Sequence, residues 1–497
     1  MVVPVITRRR AIETLAATAA STLLPGRAFA STPFTNPQPT PSGPIKRSSL
    51  LVSGTPDGAN GAILPAFTGF SYEKTVMSHE IFRTSNKNLI ALCKLLGPQL
   101  LRISGDSTDK TVFAPNGHGG KYGQTTPAEV AATAAFVKAT GWQCLYAVNL
   151  AGSANGTTTP ELAADEVACA VQHFGPSLYA VEIGNEPDLF SREGRQYDKA
   201  HKPWSLPIFE TLWNQYRTAI LAKNPNVVIV GPAAGHLADW TIPFIKYQTK
   251  AKIALLTDHY YAGHGHSTQK FTIDHLLEPD QLLQSNLQLM RDTQKATGIP
   301  FRLAETNSNT AGAPAVSDAY ASALWGLNHI LTCAQGGAQG TNFTSGKAGP
   351  YTPIVDDGDS KITEIRPEYY GILFFTLAGI GPLYRTRLAA GSPAIDTYAI
   401  KTPTGINIVV INKDTQNLDL TLQLPQTIAS ANLIALTQQS PGATAPNLAA
   451  TSGVTIQGAT VAIDGTFSPA LAYTLPTTGS QATCHVPALS SVLIRTT

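Results

Sequence analysis

Two short stretches place residues suited to chemistry where a buried segment must end. AVEIGNEPD, Ala180 to Asp188, runs through an apolar segment and then delivers Asn185, Glu186 and Pro187, and FRLAETNS does the same with Glu305. Two glutamates facing each other can act on an acetal: one protonates the leaving oxygen, while the other attacks the anomeric carbon and holds a covalent sugar. In a retaining pair the carboxyl groups stand about 5–5.5 Å apart. The acid must start protonated, which a neighbouring negative charge and desolvation favour, and the nucleophile must start ionised. Glu186 is assigned the acid/base role, Glu305 the nucleophile role, and Asn185 a contact to a sugar hydroxyl. A lone carboxylate beside Pro187 would equally suit the first turn of a helix. The second glutamate tips the balance.

These positions need a scaffold that carries both to one place. From about Pro65, apolar runs such as FTGFSYE, LLRISGD, WQCLYAVNLAG, LYAVEIGNEPD, VVIVGPAAG, IALLTDHYYAG and FRLAETNS alternate with helical stretches, and a weaker eighth run follows at AQGTNFTSG. Strands buried on both faces read as continuous apolar runs, and each needs a helix to cross back. The pattern predicts a (β/α)8 TIM barrel over 65–383, whose active site lies at the C-terminal ends of the strands. Beyond it, TYAIKTPTGINIVVINK, LDLTLQLP and SSVLIRT alternate with period two. They predict a C-terminal antiparallel β-sandwich over 384–497, completed by N-terminal strands from 46–64.

The N-terminus reads as an export signal over 1–30: Arg8 and Arg9, in a twin-arginine-like setting, precede a weakly apolar stretch and Ala28-Phe29-Ala30. A Pro/Ser/Thr-rich linker occupies 31–45. The expected location is periplasmic or extracellular. With 35 basic and 33 acidic residues, charge is nearly balanced, and no basic run suggests a nucleic-acid partner. No segment is apolar enough for a membrane span. Five cysteines without metal-like spacing read as mostly buried free thiols, and no cofactor is expected. His259, His264 and His266 raise a metal reading, which the glycine between the last two and the loop composition disfavour. A monomer acting on a carbohydrate or glycoside is expected.

VEIGNEPD and LAETNS resemble the strand-four and strand-seven signatures of clan A glycoside hydrolases. LPAFTGFSYE, LLRISGDSTD, VEIGNEPDLF, DHYYAG, PYTPI and RPEYYGILFF extend the resemblance, more narrowly, to glycoside hydrolase family 79, the heparanase and β-glucuronidase family. The resemblance implies that Glu73, Asp106 and Asn149, ending the first three strands, hold hydroxyls of the terminal sugar, although capping of the next helix is the competing reading. It implies that Tyr260 donates to the nucleophile, leaving Tyr261 as the core residue, and that Tyr351 helps bind a uronate carboxylate. The chain departs from the family pattern at Thr310, where a second tyrosine is frequent, and at Pro350, which has no N–H to offer beside Tyr351. A donor lost to a buried carboxylate costs about 1.5–3 kcal/mol. The expected activity is therefore that of a retaining exo-β-glycosidase, foremost a β-glucuronidase. A β-glucosidase-like or disaccharide-releasing enzyme on plant glycosides is the alternative, and an idle carbohydrate-binding barrel the alternative outside enzymes.

Overall fold

The structure, a computed structural model, describes residues 36–39, 43–192, 204–248, 252–265, 270–346, 349–389, 391–440 and 445–497. The export signal expected at 1–30, part of the linker and His266 lie outside the described residues.

Eight parallel strands close into a barrel. In chain order they are Gly69–Glu73, Leu100–Ser104, Gln143–Val148, Leu178–Ile183, Ile229–Ala234, Leu256–Gly263, Phe301–Asn309 and Thr341–Thr344, and they are called here the first to eighth barrel strands. Crossover helices separate them, and local chemistry sets where several begin. Helix Pro127–Thr140 starts with proline at its first position and a capping box in which Thr126 and Glu129 satisfy each other's orphan backbone N–H groups. Helix Lys87–Leu95 is capped by the Asn86 side chain, which accepts from the Leu89 N–H. It is shorter than the helical stretch read from HEIFRTSNKNLIALCKLL.

Period-two alternation sorts the strand side chains into two cores. Leu100, Leu145, Ala180, Val230 and Ala304 fill the barrel interior. Leu101, Ile103, Val181, Ile183, Leu256 and Leu303 point outward into the much larger layer shared with the helices. Above these rows on the second, fourth, sixth and seventh strands stand Arg102, Glu182, His259 and Glu305, which form the site described below.

The C-terminal strands form a 12-stranded sheet, into which Ile45–Ser53 is inserted between Gly381–Leu388 and Asn417–Gln423. That insertion is antiparallel on one side and parallel on the other, so the sheet is not antiparallel throughout. Strand Ile406–Asn412 is buried at all seven positions because it serves two interfaces. Ile406, Ile408 and Val410 enter the core of the β-domain, while Val409 and Ile411 pack toward the barrel helices. Tyr320, on helix Tyr320–Gln335, ties the two regions by donating to the Leu489 carbonyl at 2.9 Å. No helix among the described residues is long and apolar enough to cross a membrane. All five cysteines are free thiols, four of them buried.

Candidate active site

Glu186 follows the fourth barrel strand at the C-terminal rim. Its backbone lies in the left-handed region, φ 47°, although a residue before proline is ordinarily extended. A hydrogen bond from its N–H to the Ala233 carbonyl at 2.8 Å holds it there. Strain of this kind, of order 1–3 kcal/mol, persists only where surrounding structure enforces it.

Glu305 reaches the same rim through an irregularity in the seventh strand. Asp258 of the sixth strand lies opposite Leu303, but the next residue, His259, lies opposite Glu305, so Ala304 is an extra residue. Phe301 and Leu303 face the outer helices, and unbroken alternation would have sent Glu305 outward with them. The bulge turns it inward, a use of bulges frequent beside active sites.

Between the two glutamates sits His259. Its Nδ1 is 3.1 Å from Glu186 Oε1 and 4.0 Å from Glu305 Oε2. One oxygen of each carboxylate and one ring nitrogen all lie within 4.8 Å of one another. Burial opposes charge on the imidazole, yet the Glu305 carboxylate and the hydrogen bond to Glu186 outweigh it and hold the His259 pKa above its ordinary value.

Arg102, on the interior face of the second strand, organises the floor. Fully buried, it donates to Glu182 Oε2 at 2.7 Å, Glu305 Oε2 at 2.8 Å, Asn185 Oδ1 at 2.9 Å and Ser71 Oγ at 2.9 Å. On the other oxygen of Glu305, Tyr261 donates from 2.8 Å. Burial alone would push the Glu305 pKa up; His259, Arg102 and the Tyr261 hydroxyl reverse the sign and hold it below the ordinary carboxylate value. The trio Glu186, His259 and Glu305 is the group with metal-ligand spacing among the described residues. The Arg102 guanidinium, at 2.8 Å from Glu305 and 3.1 Å from His259, already supplies a fixed cation there.

Asn185 joins this cluster. Its Oδ1 accepts from Arg102, its N–H donates to Asp109 Oδ2 at 2.8 Å, and its buried Nδ2 has no protein partner. Glu73 accepts from the N–H groups of Asp106 and Ser107 at 3.2 and 2.7 Å. Burial first, then the charges of Glu305 and Asp106, raise its pKa against the hydrogen bonds from Ser107. Tyr351 belongs to the same mouth: burial and the carboxylates of Glu305, Glu73, Asp106 and Glu368 push its phenol up to about 12.

Two expectations need correction. Tyr260 does not reach Glu305; its hydroxyl donates to Asp280 at 2.6–2.7 Å on the outer side of the barrel. Tyr261, expected to be the core residue, is the one on Glu305. Alternation is the cause, since Tyr261 shares the interior row with His259, two residues back, and Tyr260 falls on the opposite face. Asn149 is turned into its own loop, where its Nδ2 donates to the Thr111 carbonyl and its Oδ1 accepts the Gly152 N–H. Its amide is thus engaged within the loop, while the helix that follows, Pro160–Phe174, is capped by the Thr159 side chain.

Arg102, Glu182 and Asp109 escaped the sequence reading as site residues, and His259 entered it only in the disfavoured metal reading. A charge in the middle of an apolar strand, as in LLRIS and LYAVEI, was the available signal for the first two. Asp109 accepts the N–H groups of Leu150, Ala151 and Asn185 at 2.7–2.9 Å and so ties the loops after the second, third and fourth strands.

A pair of variants separates the tyrosines. Tyr261→Phe removes a donor to an ionised carboxylate, worth about 1.5–3 kcal/mol, so any turnover that depends on Glu305 should fall roughly ten- to a hundredfold. Losing a donor to the charged form raises the Glu305 pKa, and the acidic limb of the pH profile should move to higher pH. Tyr260→Phe should leave both close to the parent; the reverse pattern in a rate-against-pH comparison would reject the assignment.

The fold is that of glycoside-hydrolase barrels. A 4-O-α-L-rhamnosyl-β-D-glucuronidase from Fusarium oxysporum 12S matches with a TM-score of 0.69 at 17% identity, over 90% of this chain and 100% of that one. The GH51 arabinofuranosidase from Xanthomonas axonopodis pv. citri matches with a TM-score of 0.62 at 15% identity, over 92% of this chain and 100% of that one. In sequence, the chain is homologous to a β-glucuronidase from Aspergillus niger (strain ATCC MYA-4892 / CBS 513.88 / FGSC A1513), with 24% identity over 363 residues. That match covers 65% of this chain and 66% of the relative, just under two thirds of the relative's length. No family model matches the chain.

Proposed function

We propose that the protein is a retaining exo-β-glycosidase of glycoside hydrolase family 79, acting as a β-glucuronidase outside the cytoplasm. The observation that carries the reading is the approach of Glu186 and Glu305: one oxygen of each lies within 4.8 Å of the other at the rim of one barrel. That spacing suits a covalent intermediate rather than an inverting pair, which needs about 6.5–9.5 Å to admit a water.

In the first step Glu305, kept ionised by Arg102 and Tyr261, attacks the anomeric carbon while Glu186 gives its proton to the departing oxygen. In the second, Glu186 takes a proton from water, which displaces Glu305 and restores the starting configuration. The free Nδ2 of Asn185 donates to the sugar 2-hydroxyl, a contact that tightens as oxocarbenium character develops. Glu73 and Asp106 hold further hydroxyls.

Replacing Glu186 by alanine tests the division of labour. Loss of a general acid/base costs about 10²–10⁴-fold, and the cost should be greatest for substrates with poor leaving groups. Added azide should restore turnover and yield a β-glycosyl azide; an α-configured product would reject retention.

A second reading concerns the sugar. Tyr351 is surrounded by carboxylates and follows Pro350, which offers no N–H, and this favours a neutral terminal sugar or release of a disaccharide. Assaying aryl β-glucuronide beside aryl β-glucoside decides between them: glucoside turnover without glucuronide turnover would reject the uronate assignment.

A further inference from the structure

A cavity of about 490 Å³ lies outside the barrel, where helices Ile273–Leu277, Gln281–Thr297 and Tyr320–Gln335 meet the β-domain. We propose that it is an accessory binding site for a small, neutral, hydroxyl-rich ligand of the mono- or disaccharide class. Its volume falls within the ~300–1,000 Å³ typical of small-molecule sites. None of the residues assigned to catalysis lines it.

The wall specifies the ligand's charge and its hydrogen-bonding character. Most of its fixed charges bond to the protein, and the Glu278 carboxylate lies at the exposed edge. Lys413 pairs with Asp396 at 2.9 Å and donates to the Leu277 carbonyl at 2.8 Å. Arg291 donates to the Ala59 carbonyl at 2.6 Å, and Asp280 accepts from Tyr260 and from the Leu283 N–H. An ionic ligand held among Lys413, Asp396 and Asp280 would lose its hydration beside charges that already bond to the protein, which is costly, and exposed Glu278, screened by water, offers a cation little in return.

What the wall does offer is aromatic surface and unused polar atoms. Gln284 and Gln335 present exposed amides at the rim. Deeper, His329 is 2% exposed and its Nδ1 has no protein partner. Its ring is packed between Tyr260 and Trp325, with centroids at 6.1 and 5.0 Å, and its Nε2 meets the Thr306 hydroxyl at 3.0 Å. Burial keeps this imidazole neutral, its pKa lowered to about 3. A hydroxyl both donates and accepts, so it satisfies Nδ1 in either tautomer. Several hydroxyls on one apolar-faced ring match amides at the rim and Trp325 in the wall.

A ligand held here touches the barrel helices and the β-domain together, so binding should stabilise the folded chain by mass action. The proposal does not rest on the glycosidase reading, and its test does not use turnover. Glucose, rhamnose and maltose serve as neutral probes, glucuronate and glucosamine as charged ones, each titrated into the full-length Glu305→Gln protein by ligand-observed NMR and thermal unfolding.

Saturable binding of at least one neutral probe is expected, with a melting temperature that rises with its concentration. Gln284→Trp, which fills the cavity from an exposed position, should weaken that binding at least tenfold while leaving the ligand-free melting temperature unchanged. Gln335→Leu, also at the rim, should weaken it in the same direction. Binding that both variants leave intact belongs to the barrel mouth and overturns the proposal. Absence of binding by every neutral probe, or equal binding of the charged probes at the cavity, overturns it as well.

Discussion

Glu305→Gln is expected to lower kcat on aryl β-glycosides by about 10⁴-fold or more, on the scale seen when a covalent nucleophile is removed. Glutamine keeps the side-chain volume, and its one carbonyl oxygen can still accept from either Arg102 or Tyr261, so the pocket should largely keep its shape. It carries no negative charge and cannot attack the anomeric carbon to form an ester that water later cleaves. A loss of 10⁴ corresponds to about 5.5 kcal/mol of transition-state stabilisation, far more than one hydrogen bond supplies. Substrate binding, measured under single-turnover conditions, should change little. Hydrolysis at the parental rate would remove Glu305 from the mechanism, whatever the fate of the sugar assignment.

The second large effect should follow Arg102→Met, and here stability moves with activity. Arg102 and Glu182 are both fully buried, and Arg102 also holds Glu305. Methionine of similar length leaves two carboxylates in the barrel interior without their cation, and breaking a buried pair from one side costs about 3–5 kcal/mol. The urea midpoint should drop accordingly. The remaining Glu305 carboxylate loses one of the interactions that depress its pKa, so its ionised form is reached only at higher pH, and the acidic limb of the rate profile should shift upward. Adding Glu182→Gln to Arg102→Met removes one stranded charge, and the double variant should be less destabilised than the two single costs together predict. Unchanged stability in Arg102→Met would mean that the cluster does not behave as a buried ionic network.

Much of the architecture was legible along the chain because it depends on short-range pattern. Continuous apolar runs separated by helical stretches mark strands buried on both faces, and eight of them leave closure as the way to avoid edges. The change to period-two alternation beyond the barrel marks a different kind of sheet. The parallel pairing of Ile45–Ser53 with Asn417–Gln423 could not be read, because no local signal records which distant strand will be the neighbour.

The candidate site divides along a similar line. Residue types and their positions after the fourth and seventh apolar runs were enough to single out Asn185, Glu186 and Glu305, because carboxylates at the ends of buried segments are conspicuous. Which way each side chain faces was not available from spacing. A strand has two faces, and a shift of one residue exchanges them. Hence Tyr260 and Tyr261 were interchanged, and nothing in FRLAETNS announces the extra residue, Ala304, that turns Glu305 inward. Arg102, Glu182 and His259 come from three different strands, and only closure of the barrel brings them within hydrogen-bonding distance of Glu186 and Glu305 or of one another. Composition along the chain supplied the two carboxylates; packing around the cylinder chose their orientation and the charges that surround them, since both depend on neighbours remote in sequence.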